Sequence, residues 1–274
     1  MMNARKFSSG LAATALIVLL ALTACGDDVD EEAIAQKNES VDVLYNRAYD
    51  LMKEGDNKQA VEAFEEVERQ HPYSPWAAQS QVMAAYAAYR AGEFEDAVVI
   101  LDRFVRLYPT NKATPYAYYL KAMSYYIQIT DVGRDQKMTE LARQSLQEVI
   151  VRYPNSEYAK DAKLKYDLTS DHLAGKEMEI GRYYLKQRQY VAAINRFKFV
   201  VDNYQTTSHV PEAMHRIVEA YLRLGVVDEA KRYAAVLGYN YPGSTWYQYS
   251  YEMMEGNLSP EEKTDLYDKY LKAL

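Results

Sequence analysis

The chain has 274 residues, with 32 Lys plus Arg against 39 Asp plus Glu and a formal charge of −7. Hydrophobic residues make up 49% and charged residues 26%, which excludes a disordered or collagen-like chain, and the acidic balance argues against a nucleic-acid binder. Gly and Pro number only 11 and 8, so helix breakers are scarce and the composition points to an all-α fold.

At the amino terminus, Arg5 and Lys6 precede an apolar run from Leu11 to Leu22. That is about 12 residues, where a membrane-crossing helix would need roughly 20, so residues 1–24 are expected to be an export signal. The segment closes on Leu22-Thr23-Ala24-Cys25-Gly26. This resembles the lipobox of bacterial lipoproteins, in which the signal is cut before the cysteine and the thiol is lipidated; an ordinary export signal with a chance cysteine is the alternative. Cys25 is the single cysteine, so no disulfide forms within the chain, and the thiol reads as a tether and not as a nucleophile. Anchoring would then rest on acyl chains alone. By the same resemblance, Gly26 in place of an Asp directly after the cysteine implies the outer membrane. Residues 25–40 carry the acidic stretch DDVDEEAIAQKNES and are expected to be a flexible linker.

Beyond the linker the chain repeats itself. Five segments end alike: Arg69-Gln70-His71-Pro72, Arg106-Leu107-Tyr108-Pro109, Val151-Arg152-Tyr153-Pro154, Asp202-Asn203-Tyr204-Gln205 and Gly238-Tyr239-Asn240-Tyr241-Pro242. In each, an Ala stands 12 residues before the terminal position and a second apolar residue 8 before it, as Ala60 and Phe64, Ala97 and Leu101, Ala142 and Leu146, Ala193 and Phe197, Ala230 and Ala234. Gly55, Gly92 and Gly225 precede three of these alanines by 5 residues. The pattern implies two helices and two turns per unit: the Gly permits a left-handed helix end, the Ala a close helix approach, and the Pro a stop. It resembles the tetratricopeptide repeat, with Ala48, Gly55, Ala60, Phe64 and Pro72 at its small, turn, small, aromatic and proline positions. Five such hairpins would form a solenoid over about residues 41–257.

Ser74-Pro75 and Thr114-Pro115 place a capping side chain before a proline at a helix start. The third repeat carries 8 extra residues around Thr130–Asp135, expected as an exposed loop, and 14 extra precede repeat four, between Tyr158 and Glu177. There a continuous helix from about Ser156 to Gln187 is expected, roughly 45 Å long at 1.5 Å per residue, dividing repeats one to three (41–157) from repeats four and five (158–257). Ser259-Pro260-Glu261-Glu262 opens a terminal helix over 258–274, a candidate cap for the solenoid.

The first helix of each such hairpin is expected to line the inner face, where residues three or four apart fall together. Repeats one to three would present Tyr45, Tyr49 and Met52, then Val82, Tyr86, Tyr89 and Arg90, then Tyr116, Tyr119, Met123 and Tyr126. Repeats four and five would present Met178, Arg182, Leu185 and Lys186, then Glu212, His215, Glu219 and Arg223. The first half thus reads as an aromatic trough suited to an extended segment with aromatic side chains, and the second as a charged face. Inter-helix packing is the alternative role for such an aromatic stripe, although Tyr in place of Phe favours rings that stay half wet.

Catalytic and metal signatures are missing. The histidines, His71, His172, His209 and His215, have no Cys or matching carboxylates at ligand spacing, and no glycine-rich phosphate loop or nucleophile elbow occurs. The expectation is a protein that is not an enzyme and uses no cofactor or metal.

The stretches Asp102-Arg103-Phe104-Val105-Arg106-Leu107-Tyr108-Pro109-Thr110, Tyr153-Pro154-Asn155-Ser156-Glu157-Tyr158 and Tyr190-Val191-Ala192-Ala193-Ile194-Asn195-Arg196, together with the lipobox and repeats, resemble the BamD family, the lipoprotein subunits of the β-barrel assembly machinery. The resemblance implies a periplasm-facing scaffold in the outer membrane. Its C-terminal half would dock the POTRA region of BamA, with Arg196, Asn195, Arg182 and Lys186 as contacts, beside other lipoproteins of the machinery. Its N-terminal half would receive the aromatic C-terminal signals of unfolded outer-membrane proteins. A repeat lipoprotein organising cell-wall complexes is the alternative reading.

Overall fold

The computed structural model describes residues 39–255; the export signal, Cys25, nearly all of the linker and the expected helix 258–274 lie outside them. Eleven α-helices follow in order among the described residues: α1 (Val41–Glu54), α2 (Asn57–Gln70), α3 (Pro75–Ala91), α4 (Phe94–Leu107), α5 (Thr114–Tyr126), α6 (Lys137–Arg152), α7 (Glu157–Lys186), α8 (Tyr190–Asn203), α9 (Val210–Arg223), α10 (Val227–Asn240) and α11 (Thr245–Met254). Each packs on its neighbour in sequence, and the first helices α1, α3, α5 and α7 also touch in turn. The result is a tetratricopeptide-repeat solenoid of five hairpins.

The repeated residues account for the hairpins. Gly55, Gly92 and Gly225 sit at φ 96°, 80° and 76°, the left-handed conformation that closes the first helix at little cost to glycine. Arg188 holds the corresponding place in the fourth hairpin, at φ 60°, where a side chain costs about 1–2 kcal/mol. Ala60, Ala97, Ala142, Ala193 and Ala230 are all fully buried where the paired helices approach most closely. Gly181, twelve residues before Ala193, marks the tightest approach: a Cβ built there would lie 2.4 Å from the Phe197 ring. The second helices close on His71, Tyr108, Tyr153, Tyr204 and Tyr241, all near φ −130° and ψ 50°. That conformation has left the helical region and ends each second helix, before a proline in four of the five hairpins and before Gln205 in the fourth.

The shared strut α7 is 30 residues long, about 45 Å. Its Ala162 belongs to a core with Ala122, Leu146 and Val149, and its Ala174, Met178 and Leu185 to another with Phe197, Ile217 and Leu237. Arg143 of α6 ties the two regions, with its guanidinium 4.8 Å from the Tyr166 ring and 5.4 Å from the Tyr204 ring.

One local expectation, the Thr114 cap, is corrected. Ser74 caps α3 by accepting from Trp76 N–H, but Thr114 does not cap α5; its hydroxyl donates to the Tyr108 carbonyl, and Asn111 Oδ1 accepts the Ala113 N–H instead. The insertion in repeat three is exposed at Thr130, Asp131 and Gly133 to Asp135, and buried Gln136 pins its end by donating its side-chain amide to the carbonyls of Asp131, Val132 and Arg134. The Tyr-rich segment after Pro242 forms α11, capped by Ser244 and packed on α9 and α10.

Candidate functional site

Three successive first helices bring five tyrosines together. Tyr86 and Tyr89 come from α3, Tyr116 and Tyr119 from α5, and Tyr158 from the start of α7, and all are partly buried. Tyr158 lies 5.5 Å from the Tyr116 ring and stacks on Tyr119 at 5.2 Å, with 26° between the planes. Burial, reinforced by Tyr86, Tyr158 and Tyr89, pushes the Tyr116 phenol up to about 12. Burial raises Tyr119 as well, helped by the hydrogen bond its hydroxyl donates to Asp161 Oδ2 at 2.5 Å. Asp161 also accepts from Lys165 Nζ at 2.7 Å; that lysine first, then Tyr119, hold its carboxyl below the ordinary range. These phenols are neutral at physiological pH and offer ring faces and edges, with hydroxyls as donors.

The remaining trough residues divide. Tyr45 is corrected to a core residue: it is 8% exposed, packs against Phe64 and Trp76 at 5.4 and 4.6 Å, and accepts a hydrogen bond from Gln79. The second hairpin covers the face on which periodicity places it. Met52 is buried beside it. Tyr49 stays outside the cluster, under Lys53 Nζ at 4.4 Å, and Arg90 reaches back to the Met52 carbonyl at 3.2 Å. Met123 is half-buried on α5, and the Tyr126 ring lies 5.6 Å from Lys165 Nζ. Tyr158 and Asp161 were missed because the strut's first turns were read as a spacer. The three- and four-residue spacing of Tyr158, Asp161 and Lys165 was the available signal.

The basic set is also split. Arg196 is exposed on α8, donates to Glu177 Oε2 at 3.1 Å, and shares with Asn195, Tyr184, Ala192 and Phe199 a shallow depression of about 310 Å³. Arg182 does not join it. Residues 177 and 182 are five apart, about 140° around the helix, and Arg182 instead pairs with Glu212 at 3.2 Å. Lys186 is exposed at the end of α7.

In repeat five Glu212, His215 and Glu219 of the expected inner face are buried, and Arg223 is exposed. Glu212, Arg216 and Glu219 form ion pairs at 3.5 and 3.0 Å, and His215 is 3% exposed. Ser250 Oγ spends its proton on the Trp246 carbonyl, so His215 Nδ1–H donates to it at 2.9 Å. Burial lowers this imidazole to about 3, with Arg216 adding to the shift, and the ring is neutral.

One serine, one histidine and one aspartate do meet. Ser208 Oγ–H is donated to Asp171 Oδ1 at 2.9 Å, and His209 Nε2 lies 3.6 Å from the other Asp171 oxygen. The hydroxyl bonds to the carboxylate and not to the imidazole, so the trio lacks the order that activates a nucleophile. Among the described residues no group of three or more His, Cys, Asp or Glu side chains is placed to hold a metal ion. Nor is any helix there long and apolar enough to cross a membrane.

Comparison with known proteins places this geometry in a family. The model of the YfiO family, described as an outer membrane lipoprotein, matches residues 37–237. The outer membrane protein assembly factor BamD of Caulobacter vibrioides is 48% identical over 243 residues, covering 89% of this chain and 80% of that protein. BamD of Rickettsia prowazekii is 47% identical over 240 residues, covering 88% and 94%. The solved MamA protein aligns over 72% of this chain and 90% of its own at 18% identity, with a TM-score of 0.33. The chain belongs to the YfiO family of outer membrane lipoproteins, the family of the BamD assembly factors.

Proposed function

We propose that the protein is a non-catalytic scaffold subunit of the outer-membrane β-barrel assembly machinery, held by lipid on Cys25 and facing the periplasm. Its tyrosine cluster receives the aromatic C-terminal signals of unfolded barrel proteins, and its C-terminal half docks the POTRA region of BamA through Asn195 and Arg196. Membership of the BamD family supports the assembly role. The observation that carries the substrate reading is the cluster itself: Tyr158 is tilted against Tyr116 and stacked on Tyr119, and these three with Tyr86 and Tyr89 remain partly exposed. A ring fully desolvated against them contributes on the order of 1.5–3 kcal/mol. An extended peptide suits the site because alternate side chains of a strand point the same way, so rings two apart can face one cluster.

Affinity purification from membranes, with identification of the copurifying chains and crosslinking to a peptide ending in Phe, tests both halves. BamA should copurify, and the peptide should crosslink within residues 86–158. Copurification of cell-wall enzymes without BamA would refute the reading.

A further inference from the structure

The insertion in repeat three builds a second site. Its loop is strapped to α7: Gln136 Oε1 accepts from Thr139 and meets His172 Nδ1 at 3.0 Å, and Lys176 Nζ donates to the Gly133 carbonyl at 3.1 Å. The opposite wall is His209, held beside Asp171 by the bonds from Ser208. Gly175 lies between the walls, where a Cβ would stand 3.3 Å from His209 Nε2 and 3.9 Å from Val132 Cγ1. The cleft so formed encloses about 940 Å³. Tyr126, Ile129, Val132 and Leu168 supply apolar lining, and Leu168 is 53% exposed.

Its charge is acidic. Asp131, Asp171 and Glu179 line it; Lys176 approaches Glu179 at 3.5 Å, and Arg182 at the far end is engaged by Glu212. The cleft also continues the tyrosine cluster. Tyr119 and Lys165 share Asp161, Lys165 lies over Tyr126, and Tyr126 lines the cleft. Tyr158, Asp161, Lys165, Leu168, His172 and Gly175 follow one another at three- and four-residue steps, a single stripe along α7. From Tyr158 to Gly175 this stripe runs about 25 Å, the reach of about eight residues of extended chain.

We infer that the cleft is a second subsite for the same extended peptide, taking the segment about eight residues before its aromatic end, with apolar side chains against Ile129, Val132 and Leu168 and a Lys or Arg among Asp131, Asp171 and Glu179. The inference rests on the substrate reading above, which supplies the aromatic end. Charge complementarity and the unbroken stripe select this occupant: an acidic segment would be repelled by a lining in which carboxylates outnumber cations, and a short ligand would leave the apolar lining uncovered.

The test uses the full lipidated chain in detergent micelles and two synthetic probes read by fluorescence anisotropy. One is a peptide of about twelve residues ending in Phe, with Leu and Lys about eight residues upstream, and the other is its last six residues or so. The long peptide should bind about tenfold tighter. Leu168→Arg, on a half-exposed side chain, should abolish that preference and leave the short peptide unaffected; Asp131→Lys, on the exposed loop, should do the same if Leu168→Arg fails to fold. Equal binding of the two peptides by the wild type, or a preference that survives both variants, would overturn the second subsite. Short-peptide binding insensitive to Tyr86→Ala and Tyr119→Ala would overturn the tyrosine reading instead, whatever the length dependence.

Discussion

Replacing Gly181 by alanine sets two opposing effects against each other. In an open helix interior the change would stabilise by about 1 kcal/mol, because alanine loses less backbone freedom on folding. Here the added methyl would lie 2.4 Å from Phe197 Cε1 and 2.8 Å from Cδ1 and Cζ, inside any real contact distance. Phe197 is fully buried in the core that also holds Met178 and Ile217, so its ring cannot swing away into solvent. Overpacking of this kind costs about 1–3 kcal/mol, so the net expectation is a loss of up to about 2 kcal/mol once the helix gain is subtracted. Urea denaturation of Gly181→Ala, Phe197→Leu and the double variant measures the effect as a cycle. Phe197→Leu opens space at the contact, so the double variant should be about 1 kcal/mol more stable than the sum of the single changes. A Gly181→Ala protein that gains stability, or a cycle that is additive, would refute the close approach of α7 and α8.

Three further outcomes are expected. The double variant Tyr86→Ala, Tyr119→Ala should lower crosslinking to a Phe-terminated peptide by about tenfold or more, the effect of losing ring contacts worth over 1.4 kcal/mol, while BamA copurification is retained. Arg196→Glu should do the reverse, and it should also release Glu177, its partner at 3.1 Å; equal loss of both activities in either variant would contradict the division of labour. His215 is neutral in the folded chain and lowered to about 3 by burial, whereas an unfolded histidine takes up a proton near its ordinary 6.5. Its contribution to stability is therefore complete above about pH 6.5 and falls as the pH drops from there toward 3, by up to about 1.4 kcal/mol per unit. Stability measured against pH should be flatter for His215→Gln over that window, and an unchanged slope would show that another group governs acid lability.

The repeat architecture was legible because each hairpin needs the same few residues for local reasons. A left-handed end required Gly55, Gly92 and Gly225, and a close approach required Ala60, Ala97 and Ala193. The strut was legible to within a residue because no proline interrupts it from 157 to 186. The candidate site was only half legible. Helical spacing says that Tyr45 and Tyr49 share a face, but not that Trp76 from the next hairpin covers one of them. Likewise Thr114 directly before Pro115 resembled a cap. The hydroxyl was drawn to the Tyr108 carbonyl, a partner supplied by the preceding turn. What the pattern withheld in each case was contact between elements, which no single-helix period encodes.

The single uninterrupted α7 has an evolutionary corollary. Because Tyr158 sits in its first turn and Glu177, the partner of Arg196, lies 19 residues on, the bearing between the two proposed recognition faces is counted out in whole residues. Losing one residue between them would turn one face by about 100° relative to the other and draw it about 1.5 Å nearer. Length changes should therefore be tolerated in the loops of this lineage and selected against inside the strut, where an indel would put the two ends out of phase.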